Sequence, residues 1–186
     1  MKDCFCFKYF NEFINPDVHK KLKYTSEDDS KKPSEYMTQI KTKVIDFDEV
    51  KKNYLKEHGM DEGNAKSVDA LYKLDNRLCM TEFKNGDFNS NEIIEKALSS
   101  AMIYMDITGC RLDEFRKNSV FVLVYNGEEK RINSRQKAAR YKAKSSNRKY
   151  SSFQLDHLWN FCFEEVVEIE KDDFDDSKYA KEIVGY

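Results

Sequence analysis

Apolar and polar positions alternate at changing intervals along this chain, and the intervals predict its elements. From Ser34 to about Glu57, Tyr36, Ile40, Val44, Phe47, Val50, Tyr54 and Leu55 recur at three- and four-residue steps. That spacing predicts an amphipathic helix, broken near Asp46. His58 to Asn64 reads as a helix stop and loop. Val68 to Lys84 then predicts a β-hairpin. Asp69 to Leu74 alternates polar with apolar, Asp75-Asn76-Arg77 is turn chemistry, and Leu78 to Lys84 is the second arm. After an Asn85-Gly86-Asp87 turn, Asn89 and Glu92 have the spacing of a loose capping box. Ile93, Ile94, Ala97, Leu98, Ala101, Met102 and Met105 form a helical stripe that closes at Thr108-Gly109. Ser119 to Tyr125 is apolar on both faces, which predicts a central strand covered on both sides.

The flanks are less regular. Residues 1 to 23 are aromatic-rich and fit a strand followed by a helix, in bounds that periodicity does not set. Ser26 to Pro33 reads as an exposed charged loop, Phe153 to Val167 is again apolar, and Glu164 to Asp176 is strongly acidic. No internal repeat is visible. Strand, helix and buried strand in succession predict an α/β (α+β) fold over residues 1–186 as a single domain. Its central sheet is expected to be mixed, mainly antiparallel and flanked by helices.

Composition narrows the class. At 186 residues, 40% hydrophobic and 35% charged, the chain is long enough for a sizeable core and has a heavily charged surface. No apolar run reaches the length of a membrane span, and the first residues do not read as a signal peptide. Five cysteines, Cys4, Cys6, Cys79, Cys110 and Cys162, contain no C-x-x-C pair and support neither a zinc ribbon nor a disulfide scaffold. A reducing, cytoplasmic setting is expected. The net charge of −2 excludes a uniformly cationic nucleic-acid binder.

The hairpin carries the candidate chemistry. Side chains alternate along a strand, so Glu82 and Lys84 share a face. A two- or four-residue turn would bring Asp69 to that face, and a three-residue turn would turn it away. Two carboxylates and an ammonium meeting at a sheet edge are the parts needed to hold a divalent metal and activate a water. The bland alternative is a solvated strand face with a cross-strand ion pair. Acid-x-Lys triplets also occur at Asp29, Glu49, Glu128 and Asp176, but only Glu82-Phe83-Lys84 lies on a predicted hairpin ahead of a helix and a buried strand.

Asp69 followed by Glu82-Phe83-Lys84 resembles the D…(D/E)-x-K signature of the PD-(D/E)xK nuclease superfamily, over roughly Val68 to Tyr125. Val68 stands where the signature names a proline, a tolerant position in that group. The resemblance implies a restriction-endonuclease-like core and a metal-dependent nuclease acting on DNA or RNA. Asp69 and Glu82 would hold Mg²⁺ or Mn²⁺, and Lys84 would position or help deprotonate the attacking water. An upstream acid is expected from Glu35, Glu57 or Glu62, and a helper on the following helix from Lys96 or Ser99.

Lys130 to Lys149 is basic without a single acid. Arg131, Arg135, Lys137, Arg140, Lys142 and Lys144, with Tyr141 and Tyr150 for stacking, would attract a phosphate backbone. The same run fits a solvated surface segment or an acidic protein partner. His19, His58 and His157 have no ligand spacing and read as structural, and no Gly-rich phosphate loop is present. Two other functions remain beside the nuclease. One is a non-catalytic interaction protein on the same scaffold, such as a toxin-neutralising or phage-encoded inhibitor. The other is a nucleic-acid-binding module without chemistry.

Overall fold

The computed structural model describes residues 16–28, 33–127 and 153–184. Short strands β1 (His19–Lys21), β2 (Glu27–Asp28), β3 (Glu35–Tyr36) and β4 (Lys43–Asp46) surround a single-turn helix α1 (Leu22–Thr25). Helix α2 (Phe47–Glu57), strand β5 (Ala70–Leu74), strand β6 (Arg77–Lys84), helix α3 (Ser90–Thr108), helix α4 (Leu112–Lys117) and strand β7 (Ser119–Tyr125) follow. Strand β8 (Glu165–Glu170), two one-turn helices α5 (Lys171–Phe174) and α6 (Lys178–Lys181), and β9 (Ile183–Val184) complete the described chain.

The sheet runs β1-β4-β5-β6-β7-β8, with β9 pairing beside β4 along the same edge of β5. The β1/β4, β4/β5, β5/β6 and β5/β9 pairs are antiparallel, whereas β6/β7 and β7/β8 are parallel. The mixed, mainly antiparallel sheet flanked by helices is therefore as expected. β7 lies between two parallel neighbours and every one of its residues is buried, as its continuous apolar run requires.

Each face of the sheet has its own apolar layer. Leu71, Leu78, Met80, Phe121, Leu123 and Tyr125 pack with Ile93, Ala97, Ala101 and Tyr104 of α3. Ala70, Tyr72, Cys79, Phe83, Val120, Val122 and Val124 pack with Leu22, Phe174 and Tyr179. Helix α3 has the predicted ends. The Asn89 side chain accepts from the Asn91 N–H, and Gly109 closes the helix at φ +66°, a left-handed value that glycine adopts without Cβ strain.

Three expectations need correction. The periodic stretch from Ser34 is helical only from Phe47; Tyr36 lies on β3 and Val44 on β4. Asp46 explains the break, because its carboxylate accepts from the Asp48 N–H as an N-cap. The alternation of polar with apolar over Asp69 to Leu74 does not hold in the burial: Ala70, Leu71, Tyr72 and Leu74 are all buried, because α3 covers one face and the C-terminal segment the other. The stretch from Ser26 is not wholly an exposed loop either, since Ser26 is buried and Glu27–Asp28 pairs with β3. The aromatic positions up to Phe13, Cys4, Cys6 and the basic run Lys130 to Lys149 lie outside the described residues. Among the described residues no helix is long and apolar enough to cross a membrane.

Candidate active site

The hairpin turn decides whether the predicted carboxylates meet. Leu74 pairs with Arg77, so the loop is the two residues Asp75-Asn76, one shorter than the turn residues suggested. Asp75 takes φ +53°, a left-handed value that aspartate tolerates better than most side chains. The even-numbered positions of β6 consequently face α3, and Glu82 and Lys84 point under that helix together.

Asp69 occupies the bend just before β5. Its N–H donates to the Thr81 carbonyl at 3.1 Å and its carbonyl accepts from the Phe47 N–H at 3.3 Å. Its carboxylate accepts from the Phe83 N–H at 2.6 Å, so the side chain takes the place of the next ladder acceptor. The preceding residue, Val68, is buried and donates its N–H to Ser100 Oγ of α3 at 2.9 Å. A proline at this position would have no N–H for that bond.

Helix α3 completes the cluster. Lys96 Nζ lies 2.7 Å from Glu82 Oε1 and 3.8 Å from Asp69 Oδ1. One ammonium thus touches both acids and shows that they converge. Lys84 Nζ lies 3.1 Å from the same Glu82 oxygen and 3.4 Å from Glu92 Oε1. Glu92, which has capping-box spacing, therefore reaches toward Lys84. The Glu82 side chain is 0% exposed, and those of Lys84 and Lys96 are 21% and 16% exposed. Glu82 Oε2 is buried with no hydrogen-bond partner among the described residues.

The electrostatics follow from burial and neighbours. Burial first and the Glu82 charge second push the Asp69 carboxyl well above its ordinary value, against the pull of Lys96. Burial also raises Glu82, although Lys96 and Lys84 act in the opposite sense. Burial alone would favour a neutral amine at Lys96, but the charges of Asp69 and Glu82 outweigh it and hold the ammonium.

A cleft of about 230 Å³ opens beside this cluster, with Asp69 and Lys84 in its wall and Glu27, Asp28, Met37 and Asp87 around it. It lies at the C-terminal end of β6, where a parallel sheet commonly presents its ligand site. Asn85 shapes the rim. Its Nδ2 donates to Asp28 Oδ2 at 2.9 Å and Glu35 Oε2 at 3.0 Å, while its Oδ1 accepts from Asn126 at 2.7 Å.

Of the upstream acids expected, Glu35 is committed to Asn85, and Glu57 and Glu62 are exposed at the far end of α2 and in the following loop. Asp48, in the first turn of α2, is the one whose charge acts on both Asp69 and Lys96. Ser67 and Lys51 hold it, the former by a hydroxyl hydrogen bond and the latter at 3.5 Å. Its signal in sequence was its place two residues after the helix cap. Of the two helper candidates, Lys96 is the residue that reaches the pair. His58 is structural, with Nδ1 2.8 Å from the Tyr54 carbonyl and its ring 4.3 Å from the Tyr54 ring.

Arg131, Arg135, Lys137, Arg140, Lys142 and Lys144 fall in the undescribed stretch 128–152. The described residues that flank it are placed close to the cluster. Tyr125 pairs with Lys84 across β6 and β7, and its ring packs at 4.9 Å against that of Phe153. Among the described residues no three His, Cys, Asp or Glu side chains converge as a metal-binding group. Comparison of the chain with family models, curated proteins and solved structures finds no match.

Proposed function

We propose that the chain is a metal-dependent nuclease that hydrolyses phosphodiester bonds of DNA or RNA, on a core similar to that of the restriction endonucleases. The observation that carries this reading is the convergence of Asp69 and Glu82 on one lysine, with a second lysine beside them and a buried carboxylate oxygen left over. Asp69 and Glu82 are the residues that would hold Mg²⁺ or Mn²⁺. The donor set fits: hard oxygen ligands suit these ions, and Mg²⁺ is commonly held by one or two carboxylates with water and substrate phosphate filling the other positions. A bound dication supplies Lewis acidity at the phosphate and lowers the pKa of water.

The protein's own groups do the rest. Lys84 faces the cleft and lies where it can orient a water and offset negative charge on the phosphate. Glu92 steadies Lys84, and the Phe83 N–H steadies Asp69. Glu27, Asp28 and Asp87 make the cleft acidic, so a phosphodiester is disfavoured there without a cation to offset them. The basic run Lys130 to Lys149 supplies an attraction for phosphate by composition alone.

The test is incubation of purified protein with plasmid DNA, single-stranded DNA and RNA, with Mg²⁺ or Mn²⁺ and with chelator. Metal-dependent cutting that Glu82→Ala abolishes is expected. A protein that cuts none of these with either metal is not this enzyme. A second reading, a binding protein without turnover, draws support from the self-neutralising arrangement of Lys84 and Lys96 around the carboxylates. It predicts a partner-dependent effect that Glu82→Ala leaves intact.

A further inference from the structure

We infer that Lys96 is a built-in counter-ion that a divalent metal must displace from Asp69 and Glu82, so the site alternates between a lysine-closed and a metal-loaded form. This rests on the metal-binding reading above.

The geometry points to competition. Lys96 contacts Glu82 Oε1 at 2.7 Å and approaches Asp69 Oδ1 at 3.8 Å, the two side chains that would ligate the ion. An ammonium there occupies the electrostatic position of a cation. Lys84 and Lys96 already neutralise Asp69 and Glu82, and Glu92 beside Lys84 leaves the group at only −1. A dication added with both lysines in place would bring it to +1 and would stand next to the Lys96 ammonium, where like charges repel strongly.

The two lysines are not equivalent. Lys84 has a second carboxylate, Glu92, in contact at 3.4 Å, and keeps a partner if Glu82 turns to a metal. Lys96 is engaged with both of the metal-ligand candidates. Asp48, in the first turn of α2, adds a further negative charge that acts on Lys96. Glu82 Oε2 is buried and has no donor from the described residues, so this carboxylate keeps a free acceptor for a cation while Lys96 holds the other oxygen. Asp69, in the cleft wall, is the member of the pair that an ion entering from the cleft reaches first.

The experiment measures Mn²⁺ binding by calorimetry in metal-free buffer, comparing the full chain with Lys96→Met and Glu82→Gln. Lys96→Met removes the charge and keeps the bulk, and is expected to bind Mn²⁺ at least about tenfold more tightly. Glu82→Gln is expected to lose binding. Equal or weaker binding by Lys96→Met overturns the competition while leaving a metal-binding wild type, and hence the nuclease reading, standing. No Mn²⁺ binding by either protein removes the metal reading and this inference together. A second measurement needs no variant: acylation of Lys96 in the wild type, followed by mass spectrometry, should rise when Mn²⁺ is added. If Mn²⁺ binds and Lys96 stays equally protected, the lysine is not displaced.

Discussion

Two glutamates on opposite faces of the sheet show what separates a structural carboxylate from a candidate chemical one. Glu165, at the start of β8, accepts from Arg77 on one oxygen at 2.7 Å and from the Tyr179 hydroxyl on the other at 2.7 Å. Glu82 receives both of its lysines on a single oxygen and leaves the second without a donor among the described residues. Burial pushes both upward. At Glu165 the Tyr179 and Arg77 hydrogen bonds outweigh it and lower the pKa, whereas at Glu82 burial prevails over Lys96 and Lys84. The difference is completeness. Buried polar groups are normally satisfied, and one left open is either strained or awaiting a partner.

The Glu165 face continues as a chain of neutral hydrogen bonds. Thr81 Oγ1 donates to the Tyr72 hydroxyl at 2.9 Å, and that hydroxyl donates to the Tyr179 carbonyl at 3.1 Å. These bonds fasten the C-terminal segment across β5 and β6. The Glu82 face instead gathers charge from a hairpin and two helices.

The comparison breaks most sharply in activity. Glu82→Gln should lower metal-dependent cleavage by more than about 100-fold, since even outer-shell partners of a metal ligand cost up to that much. Glu165→Gln should leave cleavage unchanged, and an equal loss in both would mean that the two glutamates do not differ in role.

Stability should respond in the reverse order. Glu165→Ala leaves Arg77 and Tyr179 without their partner and should cost about 2–4 kcal/mol in denaturant unfolding. Tyr72→Phe deprives Thr81 and the Tyr179 carbonyl and should cost about 1–3 kcal/mol by the same measurement.

The pH dependence separates the two further. Asp69 and Glu82 have raised pKa values when folded, so the folded chain holds more protons than the unfolded one. Their contribution is therefore complete below the ordinary carboxylate range and is lost as pH rises through the raised values. Glu165 has a lowered value, so its contribution is present above the ordinary range and is lost as pH falls through the folded one. Melting temperatures of metal-free protein should lose the first slope in an Asp69→Asn, Glu82→Gln double variant and the second in Glu165→Gln. Asn89→Ala should have the smallest effect: it uncaps α3, costs about 1 kcal/mol, and leaves the assignment of Lys96 untouched.

Some of this was legible from residues alone. The α3 stripe, its Asn89 cap and its Gly109 end follow from a 3.6-residue period and local backbone preferences. The burial of β7 follows from its unbroken apolar run. The common face of Glu82 and Lys84 follows from the two-residue period of any strand. Asp48 was missed, because its one signal, a place two residues after the Asp46 cap, shows only once the periodic stretch from Ser34 is known to turn helical at Phe47.

Tertiary structure decided the rest. The apolar spacing at Tyr36 to Val44 fits a helix as well as the strands it enters, and only pairing with β1 and β5 chose the strand for Val44. Asp69 reaches the cluster because the turn is two residues long and because its own carboxylate closes the ladder at Phe83. Lys96 is one of many lysines until the packing of α3 on the sheet brings it over Glu82. Periodicity is set by the covalent geometry of one element and can be read along the chain. The meeting of four charges from three elements depends on register and packing, through which residues far apart in sequence become neighbours.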